Sequence, residues 1–129
     1  MLRVCGAARF PRSLSKVIVM IIATRVLTLR LAQEKIEIPI RIFAPEPQEI
    51  DWLCRVEIDW PDGKVARGAV GVDAIHSLEL ALRMVGAQIY ASDHHESGRL
   101  EWLKPGKGYG FPVPNNIRDV LVGDDKRYL

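Results

Sequence analysis

Cysteine, histidine and long hydrophobic runs are all scarce in this chain, and each scarcity argues against a class of function. Only two cysteines occur in 129 residues, Cys5 and Cys54. A Cys5–Cys54 disulfide would need a residue of the basic head to reach a core position, so the sequence points to a reducing compartment and a cytoplasmic location. The apolar run from Val17 to Ala23 stops at Thr24-Arg25. A membrane span requires about 18 to 20 apolar residues, and no small-residue cleavage pattern follows, so neither a span nor a signal peptide is predicted. The nucleophile elbow G-x-S-x-G and the phosphate loop G-x-x-x-x-G-K-[ST] are absent, as is a helical H-x-x-x-H pair. Ser77 and Ser97 therefore lack the context of a nucleophile.

Acidic residues are missing from residues 1–19, which carry Arg3, Arg9, Arg12 and Lys16. The net charge of +2 comes from this head, because residues 20–129 hold 14 basic and 16 acidic side chains. A near-neutral folded part argues against a nucleic-acid partner. Residues 1–19 are read as a basic head outside the folded part, or as sequence preceding a start at Met20. An organelle transit peptide shares its composition. Residues 20–129 are read as a single domain.

What the chain does contain is alternation. Ile36, Ile38, Ile40 and Ile42 interleave with Lys35, Glu37, Pro39 and Arg41. Trp52, Cys54, Val56, Ile58 and Trp60 interleave with Leu53, Arg55, Glu57 and Asp59. A period of two puts each set on one face of a strand, so both segments predict strands with one buried face. Ile22 to Leu31 predicts a strand before them, and Asp62-Gly63 a tight turn into a fourth, Lys64 to Val70. The proline-bearing stretch 44–50 reads as loop.

Asp73 reads as an N-cap for a helix reaching Tyr90, with an apolar stripe of Ile75, Leu78, Leu82, Val85 and Ile89, widened by Leu80 and Ala81. A polar loop is expected from Ala91 to Ser97, and a short strand from Gly98 to Leu103. The segment from Asn115 fits a short helix or an edge strand. The predicted fold class is α+β: an antiparallel β-meander of four to five strands packed on one amphipathic helix in two layers. The charged side chains opposite the buried face, Lys35, Glu37, Arg41, Arg55, Glu57 and Asp59, can pair across strands.

Few residues suggest chemistry. Asp93, His94 and His95 are of metal-ligating types, although sequence neighbours seldom converge on one ion. The glycine-rich run Lys104 to Pro112 suggests anion binding through Lys104, Lys107 and Gly108, since backbone amides and lysine can cradle phosphate. A loop whose glycines let Tyr109 and Phe111 pack inward is the plainer reading. Cys54 faces the core, where a thiolate is disfavoured. Glu57 and Asp59 share a side of one strand and read as solvated charges. Trp52, Trp60 and Trp102 could stack on bases or sugars, but read as aromatics closing a small core. No catalytic residue and no cofactor is predicted.

One ordered string of short motifs runs through the chain: Ile40-Arg41-Ile42-Phe43-Ala44-Pro45, Asp51-Trp52-Leu53-Cys54-Arg55-Val56, Gly71-Val72-Asp73-Ala74-Ile75 with Leu78 and Leu82, and Gly108-Tyr109-Gly110-Phe111-Pro112. Over about Thr24 to Pro114 it resembles a family of small bacterial single-domain proteins catalogued only as a domain of unknown function. The resemblance implies no catalytic or binding residue.

The expected function is a non-enzymatic protein-interaction or accessory domain, for which a toxin-neutralising, immunity-like role is one form. The expected partner is another protein, or a second copy of the chain as a homodimer. The alternative is a small-ligand- or metal-binding enzyme using the His94/His95 loop and the Gly106–Gly110 loop.

Overall fold

The computed structural model describes residues 20–129. The basic head with Cys5 lies outside the described residues, as does its expected role. The strands are β1 (Ile21–Arg30), β2 (Lys35–Phe43), β3 (Glu46–Pro47), β4 (Trp52–Trp60), β5 (Gly63–Gly71) and β6 (Leu100–Glu101). The helices are α1 (Ala74–Tyr90), α2 (Asp93–Glu96) and α3 (Gly123–Tyr128), with a 3-10 segment at Asn115–Val120.

Alternation builds the sheet as expected. Leu27 and Leu29 on β1, Ile38, Ile40 and Ile42 on β2, and Cys54, Val56 and Ile58 on β4 are all buried on one face. Each such side chain removed from water contributes roughly 1.5–3 kcal/mol, so this row outweighs any single polar contact in the fold. β1, β2, β4 and β5 follow one another as an antiparallel meander. The two-residue β6 adds to β1 at Thr28 and Leu29. β4 gives one edge to β5 and divides the other between β2 and β3. The 44–50 stretch, expected as loop, thus contributes a minimal strand, with Pro47 opposite Trp52 at its end. Pro39 has no amide hydrogen to give, and the β2–β4 ladder runs over Ile40–Ile42 only.

α1 covers the buried face, packing on β4 and β5. The Asp73 side chain caps it by accepting from the His76 amide at 2.8 Å. Its buried stripe is Ser77, Ala81, Val85 and Ile89, with Gly86 and Tyr90 beside it. Ala81, Val85 and Ile89 of the expected stripe are thus buried, Leu78 and Leu82 are half-buried, and Ile75 is 76% exposed, its place taken by Ser77. Small side chains bring the helix close to the sheet. A Cβ on Gly71 would overlap the helix backbone at Ser77, and one on Gly86 would overlap the Pro112 carbonyl.

The polar loop after α1 contains a helical turn, α2, capped by Ser92, whose hydroxyl accepts from the His95 amide at 3.1 Å. Past β6 the chain wraps back over the core edge through Tyr109, Phe111, Val113 and Leu121, all buried. The C-terminal segment resolves into the 3-10 segment and α3 rather than an edge strand. Among the described residues no helix is long and apolar enough to cross a membrane.

Candidate functional site

His94 and His95 follow one another on the single turn of α2, so their side chains leave it in different directions. His94 stacks on Trp60, with ring centroids 5.1 Å apart, and its Nε2 lies 3.2 Å from Asp62 Oδ1. That contact, first among its causes, holds the Asp62 carboxyl below its ordinary value. His95 turns inward, its Nδ1 2.6 Å from the Tyr109 hydroxyl and its ring edge-on to Tyr90. Burial lowers its pKa, against the opposing charge of Glu96. Asp93 is exposed. The expected metal set His94, His95 and Asp93 is thus dispersed by separate partners. Among the described residues no three His, Cys, Asp or Glu side chains gather to hold an ion.

The expected anion residues fare differently. Lys104, Lys107 and Gly108 line one groove of about 500 Å³, together with Trp102, Asp125 and Tyr128. Neither lysine has an ion-pair partner among the described residues. The floor of this groove already holds an anion supplied by the chain. Asp125, 2% exposed, accepts from the Tyr109 amide and the Gly110 amide at 2.7 Å each, and from the Tyr90 hydroxyl at 2.6 Å. Gly108 and Gly110 have φ of 92° and 76°, a region that turns successive amides toward one point and that favours glycine. A Cβ on Gly108 would overlap the Asp125 carboxyl carbon.

A buried carboxylate is tolerated only when paired and hydrogen-bonded. Arg25 supplies the opposite charge on the far side of the same loop. Its Nη1 donates to the carbonyls of Tyr109 and Gly110 at 3.0 Å each. Its guanidinium lies 3.9 Å from the Trp102 ring centre and 4.9 Å from that of Phe111. Burial lowers the Arg25 pKa, with Asp125 acting in the other direction. Burial, seconded by Asp125, pushes the Tyr109 phenol up to about 12 and raises that of Tyr90 further. These phenols stay protonated donors at neutral pH. Arg25 and Asp125 were not singled out by sequence reasoning. The available signal was a glycine-rich run whose amides require an acceptor.

The other candidates are structural. Cys54 is buried, its Sγ donates to the Phe43 carbonyl at 3.3 Å, and burial pushes its thiol up to about 11. On the uncovered sheet face Arg41 joins Glu57 at 3.1 Å and Asp59 at 2.5 Å. Lys64 approaches Glu57 at 3.5 Å, and Arg55 pairs with Glu46 at 3.3 Å. β5, nine residues long, pairs with β4 alone among the described residues. Lys64, Ala66, Arg67, Gly68 and Val70 are exposed along it.

No curated protein and no solved structure matches this chain. A family model does match, over residues 23–113, a span that takes in most of β1, all of β2 through β6, α1 and the Gly108–Gly110 loop and stops before Asp125. The chain belongs to the family described as a domain of unknown function, DUF6968.

Proposed function

We propose that the domain works without catalysis, by receiving an extended acidic segment of another protein along the open edge of β5. The observation that carries this reading is the nine-residue strand with a single neighbour among the described residues. Such an edge offers a row of backbone donors and acceptors to an added strand. Its sequence, GKVARGAVG, has small side chains that let a partner approach, and it contains Lys64 and Arg67 but no acid. That charge disfavours pairing with a second β5 and favours a segment carrying Asp or Glu. The polar groups that resemble a reactive cluster, His95, Tyr90, Tyr109 and Asp125, are occupied by one another. This supports a binding role over an enzymatic one.

The test is hydrogen exchange with an alternating valine–glutamate octapeptide at low salt, and with its valine–lysine counterpart. The acidic peptide is expected to slow exchange at 63–71, and the basic one to leave it unchanged. In an antiparallel pair successive amides point to opposite edges, so one of Ala66→Pro and Arg67→Pro blocks the open edge and spares the β4 ladder. The folded variant should lose the protection. Equal protection by both peptides, or none by either, overturns the reading.

A further inference from the structure

We propose that the Tyr109–Gly110 loop is a carboxylate-binding site, filled within this chain by Asp125 and able to take a carboxylate from a separate molecule. The site is built to a degree that an ordinary loop contact is not. Two consecutive amides and the Tyr90 hydroxyl converge on the two oxygens of one group at 2.6–2.7 Å. The missing side chain of Gly108 is what makes room for that group, since a Cβ there would overlap the Asp125 carboxyl. Arg25 holds the loop from behind, stacked on Trp102, and supplies the balancing positive charge. Fixed donors with a countercharge in a dry setting suit a carboxylate better than a neutral acceptor.

A second observation concerns where the parts lie in the chain. Tyr90, Gly108, Tyr109, Gly110 and Arg25 all fall inside the family domain, residues 23–113. The acceptor falls outside it, on α3. The donors and the countercharge thus lie within the matched span, and the acceptor reaches them from a separate C-terminal helix. That segment docks through the buried Leu121, through Val122 and Leu129 packed on the core, and through two amides, Val122 to the Tyr90 hydroxyl at 3.3 Å and Asp124 to the Lys107 carbonyl at 2.8 Å, while Lys126, Arg127 and Tyr128 are exposed. Lys104 and Lys107 line the adjoining groove with Asp124, so an incoming anion meets two cations against that one exposed acid. The chemistry of the ligand is a carboxylate, whether of a small molecule or of an acidic peptide side chain.

The test uses the full chain carrying Asp125→Ala, which leaves two amides and a phenol without their acceptor beside a space the size of a carboxylate. Sodium formate is compared with sodium chloride at equal ionic strength. A peptide of this chain's residues 121–129 is compared with the same peptide carrying Asn in place of Asp125. Formate at tenfold its dissociation constant is expected to raise the melting temperature of the variant by about 4 °C over chloride, with no such difference in the wild type. Rescue by formate assigns a small carboxylate as ligand. Rescue by the Asp peptide but not the Asn peptide assigns exchange of a whole acidic segment. If the variant is unfolded in chloride, refolding yield followed by tryptophan fluorescence replaces melting temperature in the same comparisons. Formate and peptide both failing, or formate acting equally on the wild type, overturns the proposal.

Discussion

Arg25 and Asp125 grip the same two residues from opposite sides: Arg25 donates to the carbonyls of Tyr109 and Gly110, and Asp125 accepts from their amides. The charges do not touch, yet each stabilises the other through the polarised peptide units between them. Removing Arg25 takes the countercharge from the buried Asp125, and removing Asp125 takes it from the half-buried Arg25. Arg25→Met is therefore expected to cost about 3 kcal/mol in urea unfolding, and Asp125→Asn a similar amount. In the double variant the losses should be less than additive, with a coupling of at least about 1 kcal/mol. Strict additivity would show that the two groups act independently.

Gly108 allows the second half of this grip. Its φ of 92° and its contact with the Asp125 carboxyl both exclude a side chain. Gly108→Ala should destabilise by at least about 2 kcal/mol. Because the added methyl displaces Asp125 first, hydrogen exchange should quicken at 123–128 before it does in the sheet. Uniform quickening across β1 and β2 would place the damage elsewhere.

The sheet was legible because a buried face of Ile38, Ile40 and Ile42 can only be one side of a strand. The helix was legible in extent and in most of its stripe, but not at its first turn. Ser77 carries too little hydropathy to outbid Ile75, yet it is the Ser77 backbone that α1 sets against Gly71. Hydropathic periodicity records apolar area, whereas close packing selects for its absence. α2 is one turn long, too short to show a period, and only the Ser92 cap foretells it. Lys104, Lys107 and Gly108 stand out in the sequence because glycine and lysine suggest anion binding. Asp125, their neighbour in the groove, sits 15 residues beyond Gly110, in a segment with no pattern of its own. A contact made by one side chain across that separation leaves no periodic trace.

High pH should weaken the fold through groups buried in neutral form. Burial raises the Cys54 thiol from 9.0 to about 11 and the Tyr109 phenol from 10.0 to about 12. The unfolded chain releases these protons first, so between pH 9 and pH 12 it binds fewer than the folded chain and stability falls as pH rises. Each group contributes a slope of up to about 1.4 kcal/mol per pH unit inside its own window. Cys54→Ala should flatten the part between pH 9 and pH 11. The wild-type thiol should also resist a disulfide reagent at pH 8 until the chain is unfolded. Rapid modification of folded protein would contradict the burial that causes the shift.

Low pH should weaken the fold as well, through His95. Burial holds its folded value below 6.5, so the neutral imidazole is favoured in the fold, where it meets the Tyr109 hydroxyl, Tyr90 and, on its own helix, Glu96. The unfolded chain takes up this proton first as pH falls, and the contribution of His95 is present above pH 6.5 and lost below it. The carboxylates titrate over part of the same range, so the informative quantity is the difference between wild type and His95→Gln. Glutamine keeps a polar group toward Tyr109 and cannot charge. The stability gap between the two chains should be largest at pH 7.5 and shrink steadily toward pH 5, measured by urea unfolding at fixed ionic strength. A gap that stays constant over that range would mean that His95 charges equally well in both states, and that its neighbours do not exclude water from the ring.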